Sequence, residues 1–377
     1  MGSKAIKVCH MTSAHEPGDQ RIFYKECKSL AKAGDEVYLV QRGKSGEEAG
    51  VHIVGVGQPS GGRLSRMTTF ARKVYEAALA LDAELYHLHD PELLPYGLKL
   101  KKKGKKVIFD SHELYAVQMA NKPYLPVLVS KCMAWCYRRY ECFVFKRIDA
   151  VIYPCTFNGV LPYERVAKRV VLIDNVPKLD ELYDQYRADV QRDKTSPMCY
   201  IGSMARSRCI KEIVLAAGKT GIPLVMAGGF STPEFQREIE DLLKQYTNIS
   251  WLGPVPHDKV ASIMHDAYLG LCPEKNEGQY NTVDNLATKS YEYMSMGLPV
   301  IVADYLYSRK VMETYQYGIC VDPDDVDSIA QAMQYLYNHS EEARQMGENG
   351  RRAVKETFNW GVEEKKLLAL YDKILSE

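Results

Sequence analysis

The sequence predicts an α/β protein made of two doubly wound, Rossmann-like domains with parallel sheets. Three observations predict it. The chain has 377 residues, more than a single hydrophobic core usually serves. Along it, short apolar runs of strand length alternate with helical stretches, the order that gives parallel strands joined by right-handed crossovers. The alternation breaks at a turn-rich, charged stretch over 174–197 and resumes with a fresh apolar run at Met198.

In chain order, 6–10 reads as the first strand. A helix over 22–33 follows, and Gly34 ends it. Strands come next over 36–41 and 51–55, then a helix over 67–81 and a strand over 83–88. A helix over 93–103 leads to a strand over 106–110; a long helix covers 125–146, and 150–154 is extended. In the second series the strands fall at 198–202, 224–227, 249–252, 269–272, 300–303 and 318–321, with a last helix over 362–375. The domains implied are 1–178 and 179–357. Ligands of open α/β sheets bind beyond the carboxyl ends of the strands, so the chemistry is expected at strand ends facing a cleft between domains.

Composition narrows the class. Hydrophobic residues make up 46% of the chain and charged ones 26%, as in an ordinary globular protein. A net charge of +1 gives no global field of the kind that draws nucleic acid. No apolar run reaches the roughly 18 residues needed to cross a bilayer. The amino end has no signal-peptide core, which makes a cytoplasmic location the expectation. Ten cysteines occur without a CxxC pair. The nearest two, Cys132 and Cys136, sit one helical turn apart among apolar residues and read as buried free thiols. No His, Cys or Asp cluster has zinc-site spacing, so no metal is expected.

The stretch 284–299, DNLATKSYEYMSMGLP, carries the densest pattern. It reads as a short helix capped by Asp284 or Asn285, with Tyr291, Met294 and Leu298 forming a buried stripe. Gly297 and Pro299 end it. Asp284 and Glu292 are eight positions apart, about 12 Å of rise and about 80° of rotation on a helix. Two carboxylates would then flank an amino end able to receive a diphosphate, with Lys289 adding charge. The same spacing also fits an ordinary amphipathic helix with solvated acids.

Other strand ends add candidates. The run at 198–202 leads into IGSMARSRCIKE, where Gly202 permits a tight turn and Arg206, Arg208 and Lys211 suit phosphate oxygens or a solvated basic face. The turn at Gly228 and the loop around Pro254 close neighbouring strands, the latter a seat for a nucleobase. In the first half, the strand ends carry His15, Asp19, Arg21 and Glu26, then His89 and Asp90, then His112. Histidines beside acids at three strand ends read as chemistry or as hydrogen-bonded scaffolding. The G-x-G-x-x-G fingerprint is missing, which argues against an NAD or FAD enzyme.

Together these stretches resemble the retaining glycosyltransferases of the GT-B fold, family 4, the group that builds bacterial surface polysaccharides. HEPGDQRIFYKE is similar to the family's H-x-x-x-D-x-R-I-x-x-K-E opening, and HDPELLP and DSHE to its next strand ends. GSMARSRCIKE resembles its phosphate loop, with Arg208 in the basic position. KSYEYMSMGLPVI resembles the acidic-motif helix and FNWGVEEKKLLALY the closing segment. Three positions depart: Asp284 stands where the family has Glu, Cys209 where glycine is common, and Ser203 where arginine is common.

The resemblance implies a GT-B architecture, with sheets facing across a cleft and about 358–377 crossing back to the first domain. It implies transfer of a hexose from a nucleotide-diphospho-sugar to a hydroxyl of a glycan or lipid-linked glycan. Net retention of configuration, no cofactor and no metal are implied, in capsule or O-antigen synthesis. Asp284, Glu292, Arg208 and His112 would be the catalytic residues. Glu292 would take the ribose hydroxyls and Asp284 those of the donor sugar. Arg208 and the amides of Asn285 and Leu286 would meet the diphosphate, helped by Gly202, Ser203, Lys211, Lys289, Gly228 and Pro254. His15, Asp19, Arg21, His89 and Asp90 would line the acceptor side.

The helix over 125–147 mixes Trp135, Tyr137, Tyr140, Phe143 and Phe145 with Lys131, Arg138, Arg139, Lys146 and Arg147. That composition suits an interfacial anchor at the inner face of a membrane, or a buried helix with a basic edge. Two alternatives stay open: a sugar-nucleotide epimerase of the same architecture, and a non-catalytic nucleotide-sugar-binding subunit. The donor base (uridine or guanosine), the sugar, the linkage and the oligomeric state are not legible.

Overall fold

The computed structural model describes residues 5–120, 126–188, 192–193, 195–276 and 282–377. Residues 1–4, the start of the long helix at Leu125 and part of the 174–197 connector lie outside the described residues. The chain divides into two compact units: residues 1–175 with 363–377, and residues 176–362.

The first unit is built on an eight-stranded sheet. From edge to edge its strands are Gly46–Glu48, Val51–Gly55, Glu36–Gln41, Lys7–Met11, Leu85–Leu88, Lys106–Asp110, Ala150–Tyr153 and Val170–Leu172. Gly46–Glu48 pairs antiparallel and every other pairing is parallel. The central strands are apolar on both faces because helices cover both sides, which is why they read as continuous runs. Gly46–Glu48 and Val170–Leu172 escaped the sequence reading. The first is three exposed polar residues, and the second is too short to show a period. The closing helix Trp360–Leu375 buries Leu367, Leu370, Tyr371 and Ile374, and its residues from Glu363 onward belong to this unit.

Three differences in this unit bear on function. The helix expected over 22–33 is a π-helical stretch, Gln20–Cys27, running into an α-helix, Lys28–Ala33. The Tyr24 amide reaches back five residues to the Asp19 carbonyl, and the wider turn buries Arg21, Lys25 and Glu26 together. An extra helix, Tyr115–Ala120, precedes the long helix Val127–Phe145. That long helix buries only Ser130, Glu141, Val144 and Phe145, so Cys132 and Cys136 are exposed rather than buried. The apolar neighbours that suggested burial, Leu128 and Trp135 among them, are exposed with them.

The second unit holds a six-stranded, all-parallel sheet. Its order is Ile249–Trp251, Leu224–Ala227, Met198–Ile201, Leu269–Cys272, Val300–Ala303, Gly318–Val321. Numbered along the chain this is 3-2-1-4-5-6, the doubly wound order whose switch point lies between its first and fourth strands. Apolar clusters pack both faces of the sheet. The acidic-motif helix is Thr288–Ser295, shorter than 284–299 suggested. Tyr291, Met294 and Leu298 are buried as the spacing required, and Gly297 is left-handed just beyond the helix.

Candidate active site

In the second unit the site is assembled at the switch point. The strand Met198–Ile201 ends in Gly202, whose φ is 142° and whose amide bonds the Ala227 carbonyl at 2.9 Å. Gly228 does the same one strand over, with φ 144°, bonding the Gly253 carbonyl at 2.8 Å. A Cβ on Gly228 would lie 1.8 Å from the Gly202 carbonyl oxygen, so the two turns nest only as glycines. A Cβ on Gly202 would meet the Lys289 side chain at 3.0 Å. Lys289 thus lies directly over the turn.

After Gly202 the chain makes a short 3₁₀ turn, Arg206–Arg208, and enters the helix Ile210–Thr220 through Cys209. Cys209 has φ 54° and ψ 29° and is fully buried. Its left-handed backbone explains why a glycine suits this place in the family pattern. Arg208 pairs with Glu274, a buried carboxylate two residues beyond the strand Leu269–Cys272. Lys289 reaches the same Glu274 oxygen at 3.4 Å. Burial pushes the Lys289 ammonium below its ordinary range, and the Arg208 charge acts the same way. Two cations and one acid therefore meet where the first and fourth strands diverge.

The sequence reading did not single out Glu274. The only signal was its place just past a strand end.

The acidic motif differs from its expected geometry. Asp284 lies in an extended segment, and the helix starts four residues later, with Ala287 as its N-cap at ψ 141°. Leu286 is buried, and its amide donates to the Tyr291 hydroxyl at 3.4 Å, which holds the chain extended up to Ala287. The helical rise that related Asp284 to Glu292 therefore does not apply. The first turn is Thr288–Ser290, not Asn285 and Leu286. Those two instead line a pocket of about 30 Å³ together with Glu274, Cys272 and Tyr305. Glu292 is half-buried on the same helix as Lys289 and bears electrostatically on its ammonium. Ser203 turns its carbonyl to the Tyr200 hydroxyl at 2.7 Å. Lys211 and Arg206 both pair with Glu238, which draws Lys211 toward another helix. Pro254 is exposed beside Gly229.

In the first unit the sheet's parallel register sets His10 beside His87 at its own switch point. His10 Nδ1 lies 2.9 Å from His89 Nε2, and His89 Nδ1 lies 3.3 Å from His112 Nε2. Arg21 donates to both oxygens of Asp110, at 2.7 and 2.9 Å. Asp110 Oδ2 also stands 3.2 Å from His112 Nε2. Burial opposes charge on Asp110, yet Arg21 and His112 hold its carboxyl well below the usual range. Asp90 accepts from the amides of Ser13 and Ala14 and the hydroxyl of Thr12, and faces His15 at 3.2 Å. Burial works against Asp90 too, and those donors outweigh it. Burial holds His10 and His87 well below the usual imidazole range and His89 at about 4, so all three are neutral near pH 7.

The acceptor-side candidates therefore separate. Asp19 caps the π-helical stretch through the amides of Arg21 and Ile22, both at 2.9 Å. Arg21, His89 and Asp90 are buried and held by protein partners. His15 and His112 keep side-chain exposures of 22% and 17%, with their rings 4.4 Å apart, and they form the accessible end of this network. His10, His87 and Tyr371 also belong to it. They were not expected, because only strand pairing and the closing helix bring them together.

Comparison with known proteins bears on the family and the fold. The family model described as "Glycosyl transferases group 1" matches residues 183–353, and "Glycosyltransferase Family 4" matches residues 18–158. The chain is similar to an alpha-maltose-1-phosphate synthase of Mycolicibacterium smegmatis, 24% identical over 202 residues. That match spans half of this chain and half of that relative's length. Among solved structures, a sucrose-phosphate synthase from Thermosynechococcus elongatus superposes with a TM-score of 0.71 at 21% identity, over 98% of this chain and 99% of that one. A glycosyltransferase from Rickettsia africae gives 0.73 at 16% identity, covering 99% of each. The Anabaena HepE protein, in complex with UDP and glucose, gives 0.69 at 11% identity, over 98% of this chain and all of that one.

Proposed function

The chain belongs to the family 4, group 1 glycosyltransferases of the GT-B fold, and from that premise we propose that it moves a sugar from a nucleotide-diphospho-sugar to a hydroxyl of a glycan or lipid-linked glycan. Anomeric configuration is retained, and the product serves bacterial polysaccharide synthesis. One observation carries the reading: Arg208 and Lys289 converge on Glu274 beside the glycine turn at Gly202. A diphosphate entering there meets two cations already held in place. The phosphates would compete with Glu274 for them.

As the bond from sugar to diphosphate breaks, negative charge grows on the leaving phosphate. Arg208, Lys289 and the first-turn amides at Thr288 would stabilise it, so the transfer needs no metal at this position. Glu292 would accept hydrogen bonds from the ribose hydroxyls, and Asp284 from the donor sugar. The acceptor hydroxyl would approach beside His112 and His15, attacking on the face the diphosphate leaves, with the departing phosphate oxygen taking its proton. Arg21, His89, Asp90 and Asp110 position these two imidazoles.

For the acceptor, the first unit offers a cavity of about 610 Å³ walled by Leu114, Val117, Val160 and Leu161, with Arg138 and Arg165 at its edge. Apolar walls with two guanidinium groups suit a lipid diphosphate. The helix Val127–Phe145 borders it and exposes Leu128, Met133 and Trp135 among basic residues, which supports peripheral contact with an anionic membrane from the cytoplasmic side. No helix among the described residues is long and apolar enough to cross a membrane.

Incubation with a panel of uridine and guanosine diphospho-sugars tests the reaction. Release of free nucleoside diphosphate that rises with added acceptor supports transfer. An altered sugar still joined to its nucleotide means an epimerase, and tight binding without turnover means a binding subunit; either outcome overturns the proposal.

A further inference from the structure

The first unit contains a cluster of which the proposed transfer uses only His89, as a positioning residue. His10, Glu26, His87 and His89 each have no exposed surface, and one ligating atom from each lies within 4.8 Å of all the others. Sequence spacing could not show it, because the four come from two paired strands, the residue just past one of them, and a π-helical turn.

Its polar atoms are incompletely matched. Arg21 Nε stands 3.3 Å from Glu26 Oε1 as an ion pair, whereas Glu26 Oε2 and the Nε2 of His87 are buried with no hydrogen-bond partner. A carboxylate oxygen left so inside a fold is costly and calls for an explanation. Tyr371 and Asp110, meanwhile, occupy the far nitrogens of two rings. The Tyr371 hydroxyl lies 3.3 Å from His10 Nε2, and Asp110 Oδ2 lies 3.5 Å from His89 Nδ1. With an ion bound, those contacts would hold the N–H of each ring outward, and His10 Nδ1 and His89 Nε2, which now share one hydrogen bond at 2.9 Å, would both turn lone pairs inward. This is the outer-shell arrangement that orients metal-bound imidazoles.

The distances agree. Glu26 Oε2 stands 3.9 Å from His10 Nδ1, 3.8 Å from His89 Nε2 and 3.9 Å from His87 Nδ1. His10 Nδ1 and His89 Nε2 are 2.9 Å apart. A tetrahedral ion with bonds of about 2.1 Å sets its ligand atoms about 3.4 Å apart, within this spread. We propose that His10, Glu26, His89 and His87 bind one divalent transition-metal ion, zinc by ligand type, at the switch point of the first unit. His87 would give up its contact of 2.7 Å with the Tyr371 hydroxyl, which keeps His10. Asp110 is not a ligand, because Arg21 occupies both its oxygens.

The ion would pin together the strand ends that carry His89 and, through it, His112. Its ligands all belong to the first unit, and it takes no part in bond breaking. Because the ligands have no exposed surface, it would enter during folding and leave slowly.

The test uses the full chain, expressed with added zinc and purified without chelator, with metal measured by mass spectrometry. The expected content is about one zinc per chain, falling below about 0.2 in Glu26→Gln, with a lower melting temperature for the variant. Wild-type protein holding less than about 0.1 metal per chain overturns the proposal, as does a variant that retains the wild-type content. Should Glu26→Gln fail to fold, wild-type protein grown on cobalt decides the question. The intense visible bands of four-coordinate Co²⁺ are expected, and a colourless protein overturns the assignment.

Discussion

Glu274 is the residue whose position says most about the donor site. It is 5% exposed, yet it engages both Arg208 and Lys289, and the Tyr305 hydroxyl donates to its carbonyl at 2.8 Å. A buried acid neutralises two cations that would otherwise repel each other, and in the proposed reaction it would release them to an incoming diphosphate. Arg208→Ala should therefore lower turnover more than it raises the apparent KM for donor, since the contact strengthens as charge develops. Steady-state kinetics with the preferred nucleotide-sugar checks this, and unchanged kcat would move the phosphate role elsewhere. Glu292→Gln should weaken donor binding by roughly 1–3 kcal/mol, the worth of a charge-assisted hydrogen bond. Calorimetric titration with nucleoside diphosphate and with the free base separates that loss from any effect on the base.

At the scale of the element, two local conformations decide how the site is held. Cys209 enters its helix left-handed while its Sγ contacts the Pro323 carbonyl at 3.4 Å, so relief of backbone strain and loss of packing oppose each other. Cys209→Gly should stay within about 1 kcal/mol of wild type, whereas Cys209→Val, β-branched at positive φ, should cost about 2 kcal/mol or more. Denaturant unfolding of the two variants measures both, and equal values would mean that the φ imposes no cost.

The long helix Val127–Phe145 carries a second device of this kind. Glu141 is 1% exposed and accepts from the Tyr163 hydroxyl; burial raises its carboxyl to about 7 from an ordinary 4.5. Its proton is therefore held more firmly in the folded chain than in the unfolded one. The stability it contributes is complete below the unfolded value and is lost as pH rises through about 7. Relative to wild type, Glu141→Gln should gain roughly 1–3 kcal/mol between pH 5 and pH 8. A variant offset that is the same at both pH values would contradict a buried proton on Glu141.

At the scale of the molecule, each unit gathers its polar machinery at the switch point of its own sheet. The first holds histidines and acids from three strand ends, the second holds cations and one acid. The exposed face of Val127–Phe145 gives the first unit a further surface, with Leu128 at 83% and Trp135 at 64% exposure. Flotation with vesicles rich in anionic phospholipid should recover the wild-type protein. Leu128→Ser combined with Trp135→Ser should reduce recovery several-fold, as should high salt. Recovery that is equal on neutral and anionic vesicles would discard the electrostatic part.

Much of this was determined by the sequence alone. Periodicity marked the α/β class, the resumption of strands at Met198, and the buried stripe of Tyr291, Met294 and Leu298. The spacing of motifs pointed to Arg208, Lys289 and Glu292, because these depend on neighbours within a helix or one loop. Tertiary structure alone decided where the helix after Asp284 begins, since burial of Leu286 and the Tyr291 hydroxyl overrode a good capping sequence. It alone exposed Cys132 and Cys136, because a helix's apolar residues say nothing about whether another layer will cover them. It alone joined Glu274 to two cations and Glu26 to three histidines. Parallel strands align residues that are far apart in the chain, and no local pattern records which strand ends will meet.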